Sequence, residues 1–292
     1  MRKAATLIEL IMVLVIISLL SVATFKALEK LTIREYKVKE QTRLSLESQI
    51  AVDIISNYLK YRVPYTTIGS NSNGDFKYIG DLTNADNAII LEWFGRDRDD
   101  FYTQQYSGFL DMAKKNGDVL YSPDTNLSDS DLNLVFAGSF DRAYSDNDYE
   151  NSFGWHSHDS TESFDVTLDG SGNITITDAT KPEFIYEKYF LTKSAYAIAR
   201  GEDIDKNAAC LNDLSVDNDT LLLFYDYQPW ENETFCADPN GTNQAGSVTI
   251  LMKNVAGFSF KEMDYTIRVL LDINKTIRGT SPVHFSKMKV VF

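Results

Sequence analysis

The stretch KAATLIELIMVLVIISLLSVATF, residues 3–25, decides the fold. From Ala4 to Phe25 it runs 22 residues with a single charge, Glu9. As a helix rising about 1.5 Å per residue it spans roughly 33 Å, enough to cross the hydrocarbon core of a bilayer. Arg2 and Lys3 precede it and are expected to hold the amino end in the cytoplasm, sending the rest of the chain outward. Glu9 lies inside the apolar run, where an ionised carboxylate without a partner costs about 2.5 kcal/mol or more. An acid there calls for a functional reason and for a partner.

Working outward from this segment, no Gly or Pro occurs until Pro64, so one helix over residues 5–62 is predicted, roughly 87 Å long. Residues 5–25 are uniformly apolar and read as the transmembrane half. Residues 26–62 turn amphipathic. Leu44, Ile50, Ile54, Ile55, Tyr58 and Leu59 recur at helical spacing, with Arg43, Glu47, Asp53 and Lys60 on other faces. A head is expected to pack over this outer half and bury Ile50, Ile54 and Tyr58; a helical bundle is the other use of such a face.

The 292 residues are 43% apolar and 12% aromatic, a globular composition, with 28 basic against 42 acidic side chains for a net −14. So acidic a chain does not hold nucleic acid by general phosphate neutralisation. The charge is divided: residues 26–62 carry +3 and residues 63–292 carry −18. Two cysteines, Cys210 and Cys236, are too few for a disulfide framework or a four-thiolate zinc site.

The order of residues in KA-ATLIEL, from Lys3 to Leu10, resembles the class III signal of type IV prepilins and type II secretion pseudopilins. In that family a prepilin peptidase cuts after a small residue, and an acid is the fifth residue of the mature chain. A cut between Ala4 and Ala5 makes Glu9 that fifth residue. The sequence departs from the usual pattern in having Ala4 in place of Gly and Ala5 in place of an aromatic. The resemblance implies a leader of residues 1–4, methylation of the new amine at Ala5, and an assembly role for Glu9, which neutralises that ammonium on a neighbouring subunit. The implied fold is α+β and pilin-like: a long N-terminal helix packed on an antiparallel β-sheet head formed by residues 63–292. The implied function is a non-enzymatic minor pilin or pseudopilin. It would be anchored in a bacterial inner membrane with a periplasmic head, or built into a filament with other such subunits. The segments 187–199, 221–230 and 255–273 look like the heads of larger minor pilins or J-type minor pseudopilins.

After Pro64 the sequence becomes strand-like. Strands are predicted over 88–94, 132–137, 221–227, 248–252, 258–261, 266–271 and 287–292. Residues 164–177 form a hairpin turning at DGSGN, with loops over 120–131, 140–162 and 201–219. In an oxidising periplasm Cys210 and Cys236 are expected to form a disulfide, for about 3 kcal/mol by loop entropy.

Chemistry is sparsely marked. His156-Ser157-His158-Asp159 has the residue types of a zinc site, but no third ligand at a suitable spacing, and an exposed loop with incidental histidines is expected. Asp97, Asp99 and Asp100, or Asp146, Asp148 and Glu150, could offer oxygens to calcium; solvated acidic loops are the default, and no cofactor is expected. Asn126 and Asn274 sit in acidic bacterial glycosylation sequons. No phosphate loop, nucleophile elbow or zinc-hydrolase helix motif occurs. The alternative to a pilin is a single-pass inner-membrane protein with a periplasmic, calcium-dependent binding domain. A weaker third is a secreted hydrolase using His156 and His158.

Overall fold

The structure is a computed structural model that describes residues 7–145, 148–263, 265–277 and 281–292. A single helix α1 (Leu7–Lys60) runs 54 residues. It stops two residues before the predicted end because the chain there changes partner. Val63 N–H donates to Phe94 O at 2.8 Å and Arg96 N–H to Tyr61 O at 2.8 Å, while Pro64 favours an extended Val63.

Among the described residues, fifteen strands follow. They are β1 (Ile68–Ser70), β2 (Phe76–Tyr78), β3 (Ile90–Arg96), β4 (Val119–Tyr121), β5 (Ser128–Phe136), β6 (Ser163–Asp169), β7 (Asn173–Ile176) and β8 (Tyr189–Arg200). After these come β9 (Leu221–Tyr227), β10 (Thr234–Phe235), β11 (Gln244–Ala245), β12 (Ser247–Met252), β13 (Val255–Met263), β14 (Thr266–Lys275) and β15 (Val283–Val291). Two short helices, α2 (Arg98–Tyr102) and α3 (Ser139–Ser145), lie between strands. The fold is α+β.

A ten-stranded antiparallel sheet carries the order β2-β1-β3-β8-β5-β6-β7-β4, with β9 also on β8 and β12 on β9. The sheet forks at β8. Thr192 pairs with both Arg96 and Asn133, and Ala197 with both Glu92 and Phe224. A strand has only two edges, so β3 takes one while β5 and β9 share the other end to end. A second sheet, β13-β14-β15, is a plain antiparallel meander.

Alternation sorts the side chains between faces. Leu91 and Trp93 of β3, with Leu221 and Leu223 of β9, join Leu44, Ala51, Val52, Ile55 and Leu59 of α1 and Ile267, Val269, Leu271 and Ile273 of β14 in one core. Their neighbours Ile90, Phe94, Leu222 and Phe224 face the other way, onto Phe153, Trp155 and Phe235. A third cluster fills the β5–β6–β7 end around Leu134, Phe164, Val166 and Tyr189.

The buried stripe of α1 is Leu44, Ser48, Ala51, Val52, Ile55 and Leu59. The expectation for Ile50 and Tyr58 fails: they stay 51% and 39% exposed, and Ile54 is partly buried. A step of one residue turns the helix by about 100°, so choosing the 50/54/58 line over the 51/55/59 line misplaced the face. Of the predicted loops, 120–131 contains the end of β4 and the start of β5, and 140–162 contains most of α3.

Candidate functional site

The residues with the strongest motif lie at the start of α1. Ala4 and Ala5 fall outside the described residues. Glu9 sits on the exposed surface of α1, within a run in which every side chain from Leu7 to Thr32 is exposed. Among these are Leu14, Ile16 and Phe25, at 56%, 54% and 72% exposure. This helix is long and apolar enough to cross a membrane. Side chains such as these, bare on all faces of a helix, need a non-aqueous surrounding or other helices to cover them.

Farther along, α1 is stitched to the three-stranded sheet on both flanks of its buried stripe. Lys275 Nζ on β14 lies 2.7 Å from Glu40 Oε2, which also accepts from Arg43 at 3.0 Å. These hydrogen bonds hold the Glu40 carboxyl below the usual range. Lys289 Nζ on β15 lies 2.7 Å from Asp53 Oδ1, and Lys37 Nζ donates to Ser281 Oγ at 2.6 Å. The stripe and its ion pairs fix how the head sits on the helix.

Cys210, in a 3-10 turn (Ala209–Leu211), is joined by a disulfide to Cys236, just after β10, with Cα atoms 6.2 Å apart. The bond ties the segment before β9 to the segment after it. The β6–β7 hairpin turns at DGSGN, where Asp169 Oδ1 accepts from Ser171 N at 2.7 Å and Asn173 N at 3.2 Å. That carboxylate organises the turn itself.

The histidine loop is a correction. His156 is not an incidental exposed side chain: its side chain is only 10% exposed, with Nε2 2.9 Å from Glu92 Oε1 and Nδ1 3.3 Å from Asp238 Oδ2. Glu92 also accepts from Ser70 Oγ at 2.9 Å and Tyr227 Oη at 3.0 Å. Burial alone lowers the imidazole pKa, but the charge of Glu92 and the hydrogen bonds to Asp238 and Glu92 outweigh it and raise it to about 10. His156 is thus an imidazolium strut between β3 and the segment after Cys236, stacked under Phe76 at 5.2 Å. Both ring nitrogens are engaged by carboxylates, so the protonated ring offers no lone pair to a metal or to a nucleophile's proton. His158 points elsewhere, its Nδ1 3.3 Å from Asn151 Oδ1. The signal for this cluster was Glu92, a lone charge in the apolar run IILEWF.

The Asp97/Asp99/Asp100 set also rearranges. Asp97 and Asp100, joined by Asp129, surround Lys193 Nζ at 3.0, 2.8 and 3.1 Å, while Asp99 turns to Arg98 and solvent. Burial opposes the ammonium, but its three carboxylate hydrogen bonds raise the Lys193 pKa. The chain's own cation fills this carboxylate cluster. Asp146 of the other candidate set lies outside the described residues; Asp148 Oδ1 accepts from Asn151 Nδ2 at 2.6 Å. Among the described residues no group of three His, Cys, Asp or Glu side chains is arranged to hold a metal ion. Asn126 and Asn274 are both exposed. Comparison with family models, curated proteins and solved structures gives no match.

Proposed function

We propose that this chain is a minor pilin or pseudopilin, a non-enzymatic subunit of a type IV pilus or type II secretion filament. Prepilin peptidase cleaves between Ala4 and Ala5, and the α-amine of Ala5 becomes the group that Glu9 of another subunit neutralises. Pairing two charges in an apolar surrounding is far better than holding them apart, so the contact sets axial register. The first half of α1 anchors the subunit in the inner membrane before assembly and packs among other subunit helices afterwards. The head stands in the periplasm or on the filament surface, and its size favours a minor subunit over a bulk shaft component.

The observation that carries this reading is the division of one unbroken helix. Its first half, with the TLIEL acid, is bare, and its second half is the spine of the head. A removable secretory signal would need no such continuation. The test is amino-terminal sequencing after co-expression with a prepilin peptidase. The mature chain is expected to begin at Ala5. A start at Thr24, after the small-residue site Ser21-Val22-Ala23 that would suit an ordinary signal peptidase, would make it an ordinary secreted protein and overturn the proposal.

A further inference from the structure

Between the bare apolar segment and the head lies a short length of α1 with its own chemistry. Lys26, Lys30, Arg34 and Lys37 recur at intervals of four, four and three, so they form one line along the helix. Each lies 18 residues, or about five turns, before a buried residue: Leu44, Ser48, Val52 and Ile55 respectively. The basic line therefore continues the face that the head covers higher up. Lys37 reaches the lower rim of the head at Ser281, but Lys26, Lys30 and Arg34 are exposed beneath it. Glu29 and Glu35 fall on either side of the line.

We infer that Lys26, Lys30 and Arg34 bind the anionic headgroups of the bilayer leaflet beneath the head. Lys26 directly follows Phe25, so the line starts where the apolar run stops. Lys26 to Arg34 rises about 12 Å, comparable to a polar headgroup layer plus one screening length. Basic side chains placed there gain about 1 kcal/mol each against an anionic surface, which is about a fivefold preference per contact. The rest of the molecule sharpens the need. Residues 63–252 carry −22, so an anionic bilayer repels most of the head, and the basic line holds this face of the stalk to it. The inference rests on the membrane placement of α1 in the proposed function, though not on filament assembly.

The test uses the full chain in nanodiscs of equal parts phosphatidylcholine and phosphatidylglycerol, with retained lipids counted by native mass spectrometry. Phosphatidylglycerol is expected to be retained about fivefold over phosphatidylcholine. The preference should vanish in Lys26→Gln/Lys30→Gln/Arg34→Gln and persist in Lys114→Gln/Lys115→Gln, which removes two exposed charges of the head. Equal retention of the two lipids, or a preference that survives the triple substitution, would overturn the inference. So would self-association in phosphatidylcholine alone that the triple substitution abolishes, which would assign the line to the acidic head of another copy. Release of the protein from membranes by carbonate is a separate failure, because it removes the membrane placement itself.

Discussion

The two halves of α1 belong to one unbroken helix, differ in how their apolar residues are arranged, and end in opposite surroundings. From Leu7 to Thr32 every side chain is exposed, apolar on all sides as far as Phe25. From Leu44 to Leu59 the apolar residues narrow to a stripe that the head covers, bounded by Glu40 and Asp53 in ion pairs with Lys275 and Lys289. A stripe can be satisfied by one partner, here the strands of the chain's own head. A cylinder that is apolar all round cannot, and it demands lipid or other helices. One half therefore specifies the tertiary fold, and the other specifies where the molecule lives.

That contrast can be broken most severely at Glu9. Glu9→Ala is expected to leave membrane insertion and head stability unchanged while lowering incorporation into filaments tenfold or more, measured on sheared filaments by immunoblot. Equal incorporation would overturn the assembly role proposed for Glu9.

His156→Gln should do the converse, damaging the head alone. Leaving Glu92 and Asp238 buried without the imidazolium costs about 3–5 kcal/mol, read from thermal unfolding in detergent. Because the folded pKa is raised to about 10, the contribution of His156 is complete below its ordinary value near 6.5. It is lost as pH climbs through about 10, so the deficit of the variant should shrink over that range.

A pair of like substitutions sharpens the comparison further. Ile55→Ala removes side-chain volume from the core beside β14 and should cost about 2–5 kcal/mol, whereas Ile16→Ala on the bare half should change head stability by under about 0.5 kcal/mol.

The smallest effect is a gain. Burial, and then a shared hydrogen bond with Glu231, push the Asp165 carboxyl up to about 6. Holding it ionised at neutral pH opposes folding, a burden that grows as pH rises from about 4 through 6. Asp165→Asn should stabilise the head at pH 7 by about 1 kcal/mol after allowance for solvent screening, with no gain below pH 4.

Long runs of one character were readable. The uninterrupted helix followed from the absence of Gly and Pro before Pro64, β9 from its continuous apolar run Leu221–Tyr225, and the β6–β7 hairpin from alternation on either side of the DGSGN turn. The three-residue strands β1, β2 and β4 were not readable, because their pairing is decided by neighbours distant in sequence. The stripe on α1 was half legible. Leu44, Ile55 and Leu59 stood out, but Ser48 and Ala51 are small or polar and give no hydrophobic signal, although close helix–sheet packing selects them. The motif around Glu9 is legible in the sequence alone; the structure adds the exposed apolar run of α1 in which Glu9 lies. The His156 strut was hidden because its partners, Glu92 and Asp238, are 64 and 82 positions away.

The wedding of α1 to β14 and β15 also dictates a timetable. A chain delivered amino end first presents Leu44, Val52, Ile55 and Leu59 long before their cover is complete, since β3 follows soon but β14 begins about two hundred residues later. Closing so wide a loop is slow, and until it closes the stripe is a sticky surface open to wrong partners. Maturation of the head is therefore tied to delivery of its final sheet, and a chain stalled short of β14 would be bait for proteases and holdases.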